Sequence, residues 1–417
     1  MTNASAAIWA IAAASAAGVV VRPFRSPEWA WAVGAAALLL ASGLVSPGDA
    51  AAAVAKGADV YLFLAGMMLL SEAARAEGVF DWIAAAAVRR AGGSGPRLFL
   101  LVYLTGVAVT TFLSNDATAV VLTPAVFAAA RKAKADPEPL LLACALVANA
   151  ASFVLPISNP ANLVLYGGHM PALWPWLGAF LLPSVASILV TFAVLRIVER
   201  RRVSAPCAPS EAGGPLSAGG VAALGGVLAA ATLLLVMSAL DRPLGPPTAL
   251  AGAGAALLAS LLARRSPLAL AREISWGVLP LVAGLFVVVE ALERTGVIGA
   301  LAAALRAASL ENPASASAWA GAIVAVACNL MNNLPVGLVS ASAIGQAHPP
   351  QLVVDGLLIG VDLGPNLSVA GSLATILWLQ AIRREGEDMS FWRFLKIGLV
   401  AAPTALAAAL AARLLIG

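Results

Sequence analysis

Apolar runs about as long as a bilayer is thick recur along this chain. Examples are "WAWAVGAAALLLASGLVS" (29–46), "GAFLLPSVASILVTFAVLRIV" (178–198) and "FLKIGLVAAPTALAAALAARLLIG" (394–417). Each is near the ~20 residues that a helix needs to span a membrane. Residues 1–21 lack a basic start and lead directly into further runs, so they read as a first helix rather than a cleaved leader. Four polar interruptions stand out against this background: Ser114-Asn115-Asp116 in "FLSNDATAVVLTP", Ser158-Asn159-Pro160-Ala161-Asn162, Asn332-Asn333-Leu334-Pro335, and Asp362-Leu363-Gly364-Pro365-Asn366 continuing to Gly371-Ser372.

The pattern also repeats. Shifted by 218 positions, "LAGMMLLSEAARAEGVFDWIAAAAVRR" (64–90) lies over "VAGLFVVVEALERTGVIGALAAALRAA" (282–308), with Gly66 on Gly284, Glu72 on Glu290 and Gly78 on Gly296. The same shift sets Ser114-Asn115 on Asn332-Asn333. A further shift of about six residues sets 156–167 over 368–379. Charge orients the halves. Residues 44–55 hold no Lys or Arg where 262–273 hold three, and 73–98 hold four where 291–316 hold two. Positive charge marks the cytoplasmic side, so the halves are expected to have opposite topology. That is the arrangement of a secondary transporter whose site lies between the repeats.

The expected fold is therefore an all-α polytopic membrane protein of two inverted repeats, 1–202 and 219–417, joined by a cytoplasmic linker at 203–218. Each half would carry five spans, one re-entrant hairpin and one broken helix, with both termini outside. Hairpin one is expected over 97–130, since Arg97 and "RKAK" (131–134) place both of its ends on the cytoplasmic side. A third helix is expected over about 51–72, and an amphipathic helix near 79–90.

Composition agrees: 61% hydrophobic and 11% charged residues, against roughly a quarter charged in soluble proteins. The net charge of +4 is spread over short loops, which argues against a nucleic-acid partner. Cys144, Cys207 and Cys328 have no paired spacing, and no Gly-rich phosphate loop occurs, so neither a metal site, a cofactor nor an enzymatic activity is expected.

Irregular backbone is tolerated at membrane depth only where it is buried in protein or lines a cavity. The four breaks are thus expected to converge on one site. A carboxylate at mid-depth costs roughly 2.5–3.5 kcal/mol, which makes Asp116, and Asp362 at the matching break, candidates for proton coupling. A helix-capping role is the plain alternative for both. Glu72 and Glu290 suit ion pairs with Arg75 and Arg294, Asn149 and Asn329 suit bonds between helices, and His169 and His348 fall in loops expected outside.

At the segments "FLSNDATAVVLTPAV", "MNNLPVGLVSA" and "GVDLGPNLSVAGSLATILWL" the sequence resembles the arsenical pump membrane protein family, the arsenite efflux permeases of the ion transporter superfamily. The resemblance implies export of arsenite and antimonite across the inner membrane of a prokaryote in exchange for protons. It implies a homodimer by superfamily analogy and, in some members, association with a soluble arsenite-stimulated ATPase. Carried over, the substrate site comprises Ser114, Asn115, Asp116, Asn159, Asn162, Asn332, Asn333, Ser372 and Thr375, with Asp116 and Asp362 moving the proton. One departure is Asn366, where the family pattern has a lysine. A sodium-proton antiporter of the same fold and a dicarboxylate or other anion carrier are the alternatives. Asp116 argues against the second, because a carboxylate repels an anionic substrate.

Overall fold

The computed structural model describes residues 3–167, 170–209 and 214–417; His169 and part of the 203–218 linker lie outside the described residues. Every regular element among them is helical. The first half opens with α1 (Asn3–Val21), α2 (Glu28–Ala41), α3 (Pro47–Lys56), α4 (Ala58–Ala76) and α5 (Val79–Ala91). It continues with α6 (Gly95–Phe112), the short α7 (Asn115–Ala117), a π-helical stretch Thr118–Leu122 and α8 (Thr123–Lys132). Then come α9 (Pro137–Ala150), a 3-10 turn Pro156–Ser158, α10 (Pro160–Tyr166) and α11 (Leu173–Val198).

After the one-turn α12 (Arg200–Val203), the second half starts with α13 (Ala218–Ala239), α14 (Gly245–Leu262), α15 (Pro267–Glu273), α16 (Val278–Arg294) and α17 (Val297–Glu311). It ends with α18 (Pro313–Met331), α19 (Asn333–Ala347), α20 (Gln351–Leu363), a 3-10 turn Gly364–Leu367, α21 (Leu373–Arg384) and α22 (Phe391–Leu415).

Several helix starts recur at the 218-residue spacing. Gly78 and Gly296 are both left-handed, with φ of 71° and 81°, and each opens the amphipathic helix of its half. Ser94 and Asn312 cap α6 and α18, and Ser114 and Asn332 cap the helices after the next break; all three pairs are 218 residues apart. The later caps, Asn159 and Ser372, are 213 apart, so the expected overlay of the broken helices moves by one residue. Contacts between the halves are reciprocal too. α4 packs along α14 as α16 packs along α2, and α10 meets α19 as α21 meets the Thr118–Leu122 stretch and α8.

Glycine sets these crossings. A Cβ on Gly66 would lie 2.1 Å from the Thr248 carbonyl oxygen, and one on Gly284 would lie 2.6 Å from the Ala32 carbonyl carbon. Small residues let backbones touch where lipid supplies no hydrophobic drive to bring helices together.

Among the described residues, seven helices are long and apolar enough to cross a membrane, or up to nine if each bent pair counts as one. The bent pairs are α3–α4, turning by 51°, and α15–α16, turning by 48°. The single helix expected over 51–72 is thus broken at Gly57, where a Cβ would sit 2.4 Å from Tyr61 Oη and 2.6 Å from the Phe286 ring. Lys56 and Asp59 flank Gly57 at that break. The expected ten spans are not all of spanning length, since α2 and α9 have only 14 residues each. Conversely α6 and α18, expected as arms of re-entrant hairpins, have 18 and 19 residues. At 1.5 Å per residue these are about 27–28 Å long, enough for a full crossing.

Candidate functional site

The four breaks meet. Asn115 and Asp116 at the start of α7, Asn159 and Pro160 at the start of α10, Asn333 and Leu334 at the start of α19, and Ser372 and Leu373 at the start of α21 wall one small void of about 20 Å³. A void of that size holds about one water. Asp116, Pro160 and Leu373 also wall a much larger cavity of about 770 Å³. It extends from Ser114 and Asp116 past Glu72 and Arg75 of α4, Glu273 of α15, and Gln380 and Arg384 of α21.

Each break is held by its own polar side chains. Ser114 Oγ accepts the Ala117 N–H at 3.1 Å, and Asn115 Oδ1 accepts the Asp116 N–H at 2.9 Å. Asn159 Oδ1 accepts the Ala161 N–H at 2.9 Å, and Asn332 Oδ1 accepts the Leu334 N–H at 3.2 Å. Ser372 and Thr375 form a capping box, with the Thr375 N–H donated to Ser372 Oγ at 3.1 Å and the Ser372 N–H to Thr375 Oγ1 at 3.2 Å. These caps satisfy only part of each helix's orphan donors. Four N-terminal ends, each carrying a partial positive charge, therefore face the same point.

Bonds between the breaks fix their arrangement. Ser158 Oγ donates to the Thr111 carbonyl at 3.1 Å, tying the first broken helix to the end of α6. In the other half, the Asn333 N–H donates to the Gly371 carbonyl at 3.0 Å. Asn332 takes φ 76° and ψ 153° to make that turn.

The nine residues expected at the substrate site divide into two groups. Asn115, Asp116, Asn159, Asn333 and Ser372 line the small void, while Ser114 lines the larger cavity. Asn162, Asn332 and Thr375 do not; all three are buried, and they hold the backbone behind it. Asn162 Nδ2 donates to the Ser152 and Pro156 carbonyls at 3.0 and 3.3 Å. Asp116 is half-buried and forms no salt bridge among the described residues, so its carboxylate faces the cavity without a cation. Asp362 is placed differently from the expectation. It is fully buried behind the void, with Oδ1 accepting from Asn159 Nδ2 at 2.8 Å, and it lines neither cavity.

A direct match of a family model to residues 10–364 decides the assignment. The chain belongs to the CitMHS (citrate transporter) family. It is 26% identical over 384 residues to the arsenical pump membrane protein of Escherichia coli K12, covering 89% of each chain. It is 27% identical over 377 residues to the arsenical pump membrane protein of Yersinia enterocolitica, covering 88% of each. An uncharacterized transporter of Mycobacterium tuberculosis is 28% identical over 376 residues, covering 85% of this chain and 84% of that protein. Among solved structures, the YdaH transporter of Alcanivorax borkumensis, reported to have an unusual topology, superimposes with a TM-score of 0.58. At 17% identity over 88% of this chain and 86% of that one, it shows a shared fold. This chain is accordingly a multi-span membrane transporter.

The expected ion pairs and helix-to-helix bonds are present in the transporter. Arg75 grips Glu72 through Nε at 2.8 Å and Nη2 at 2.5 Å. Arg294 Nη2 lies 3.8 Å from Glu290, which also meets Lys56 at 3.0 Å. Asn149 Nδ2 donates to Asn366 Oδ1 at 2.9 Å, and Asn329 Nδ2 donates to the Gly364 carbonyl at 2.9 Å. His348 is exposed. Cys144, Cys207 and Cys328 are free and buried.

Sequence reasoning missed Gln380 and Arg384 on the cavity wall, although Leu373, Leu377, Gln380 and Arg384 share one helical face by spacing. It also missed a buried pair, Asp355 and Arg413, whose Nη2 lies 2.8 Å from Asp355 Oδ2. Tyr166 Oη and Gln351 Nε2 donate to the other oxygen of Asp355 at 3.0 and 2.7 Å. Only the seven-residue spacing from Asp355 to Asp362 along α20 hinted that both face α10.

Proposed function

We propose that this transporter exports arsenite and antimonite, as their neutral trihydroxides, in exchange for protons. The observation that carries the reading is Asp116: a carboxylate with no salt-bridge partner among the described residues, walling a void that four helix N-termini surround. A neutral trihydroxide presents oxygen lone pairs to backbone N–H and Asn donors, and hydroxyl protons to Asp116. Asn115, Asn159, Asn333 and Ser372 supply the neutral part of the site. Protonation of Asp116 from outside removes its charge and turns one oxygen into a donor, which weakens its hold on the substrate hydroxyls, so release and proton uptake are linked at one side chain.

The names of the relatives support the arsenical substrate. The larger cavity runs toward Arg75 and Arg384, on the side that charge asymmetry makes cytoplasmic, so it serves as the loading vestibule. The hairpins and broken helices then move against the remaining spans, in an elevator or rocking motion, to present the void to the other side. A homodimer and a soluble ATPase partner belong to the same family-based reading.

One observation favours a second reading. Four converging N-terminal ends attract anions, and with the family's name they point to a carboxylate substrate. Asp116 would then have to be protonated for the substrate to bind.

The test is arsenite uptake into everted membrane vesicles with an acid interior and no ATP, comparing the native chain with Asp116→Asn. Gradient-driven accumulation in the native chain and its loss in the variant are expected. Accumulation of citrate in place of arsenite would overturn the proposal in favour of the anion carrier. Sodium-driven proton movement with no arsenite uptake would mean a cation antiporter.

A further inference from the structure

Positions that recur at the 218-residue spacing are bonded to one another in the second half and line open cavities in the first. Between α16 and α19, Ser342 Oγ donates to Glu293 Oε1 at 2.5 Å. Arg306 of α17 donates through Nε to the Ala347 carbonyl at 3.1 Å and through Nη2 to the Gln346 carbonyl at 2.5 Å. Gln346 and Ala347 end α19. Their carbonyls have no helical partner and sit at the partly negative end of the helix, where a guanidinium is well placed.

The first half has different side chains at these positions. Glu293 corresponds to Arg75 and Arg306 to Val88. A single π-helical turn inserts one residue, and α8 follows such a stretch, so Ser342 corresponds to Pro124 or Ala125 and Gln346 to Ala128 or Ala129. Arg75, Pro124 and Ala125 all line the cavity of about 770 Å³. Val88, Ala128 and Ala129 line a second cavity of about 290 Å³ between α5 and α8. Pro, Ala and Val side chains carry no hydrogen-bonding group, and Arg75 is taken by Glu72.

The bonded set lies beyond the void as seen from the large cavity. Gly277, Val278 and Leu281 at the start of α16 line that cavity. Glu293 is a further twelve residues along the helix (281 to 293), about 18 Å at 1.5 Å per residue. Asn333 and Leu334 at the start of α19 wall the void, and Ser342 lies a further eight residues along (334 to 342). Opening the void at that end requires α16 and α19 to part, as α4 and α8 are already parted around the large cavity.

We infer that Glu293, Ser342 and Arg306 form a lock on the outer mouth, closed while the void opens to the cytoplasm and broken for release outside. The sequence puts bonding side chains at this mouth and not at the equivalent positions of the other. The resting transporter is therefore biased open to the cytoplasm, the side from which an exporter loads. None of the three residues lines the void or the large cavity, so they are positioning residues that act through α19. The inference does not depend on which substrate occupies the void, and its test uses none.

Two added cysteines report the two mouths. Ser71 lines the large cavity, and its equivalent Val289 is 6% exposed. The experiment measures labelling of Val289→Cys and Ser71→Cys by a membrane-impermeant maleimide, using the full-length protein in membrane vesicles of both orientations. The chain without an added cysteine gives the background. Loss of a hydrogen bond to a charged group shifts a two-state ratio by about 10-fold. Ser342→Ala is thus expected to raise labelling of Val289→Cys from outside by about 10-fold, with no rise for Ser71→Cys from the cytoplasmic face. Ser342→Thr keeps the hydroxyl and is expected to restore the native rate. Arg306→Gln, at an exposed position, supplies the same test should Ser342→Ala fail to fold. An unchanged Val289→Cys rate in the folded variant, or a matching rise at Ser71→Cys that marks general loosening, would overturn the inference.

Discussion

Arg413→Gln tests how much the buried charge pair contributes. Asp355 has no exposed surface and Arg413 is 6% exposed, and the guanidinium meets Asp355 Oδ2 through both Nε and Nη2 at 2.8 Å. Tyr166 and Gln351 donate to Oδ1, so removing Arg413 leaves a hydrogen-bonded but uncompensated carboxylate. Breaking a buried pair from one side costs about 3–5 kcal/mol. At about 2.1 cal/mol/K per residue, a chain this long has an unfolding entropy near ~0.9 kcal/mol/K, so the melting midpoint should fall by about 3–6 °C. The double variant Arg413→Gln/Asp355→Asn removes both charges and should recover most of that loss, because the single-variant cost is chiefly the stranded carboxylate. The assay is the thermal melt of detergent-solubilised protein followed by size-exclusion fluorescence. An Arg413→Gln midpoint within ~1 °C of the native value, or a double variant no more stable than the single, would refute the reasoning.

Three further outcomes follow from particular contacts. A Cβ on Gly360 would lie 2.2 Å from the Gly321 carbonyl oxygen, so Gly360→Ala should force α18 and α20 apart at a cost of about 1–3 kcal/mol, read as a lower melting midpoint. Asn332 holds φ 76° and ψ 153°, so Asn332→Gly should fold with only its cap lost, whereas Asn332→Ala adds strain of about 1–3 kcal/mol; comparing the two melts separates cap from backbone. Asn159→Ala removes both the α10 cap and the donor to Asp362. It should lower stability by at least about 1 kcal/mol and abolish gradient-driven uptake, while Asn159→Ser restores the cap without the uptake; equal transport by all three would show that Asn159 is not part of the site.

The polar breaks were legible because Ser114-Asn115-Asp116 and its counterparts interrupt runs that otherwise hold apolar residues. The repeat was legible because Gly66, Gly78 and Ser114 recur at one spacing as Gly284, Gly296 and Asn332. Those features are local: residue type and spacing suffice to mark helix caps, left-handed turns and close helix crossings. The bends at α3–α4 and α15–α16 escaped, because each falls inside a mostly apolar run and its angle is set only once the helices are packed. Asp362 reads in the sequence as the twin of Asp116. The tertiary structure turned it away from the void, because the rotation of α20 about its axis is set by packing against α10 and α18.

The sequence by itself thus determined that this is a helical membrane protein with four polar breaks and helix starts that recur at one spacing, since bilayer thickness and helix geometry translate directly into runs and spacings. Only the tertiary structure decided which polar atoms meet. The partners Asn159 and Asp362 are 203 residues apart and Asp355 and Arg413 are 58 apart. Whether a buried oxygen finds a donor depends on how the helices carrying it are packed.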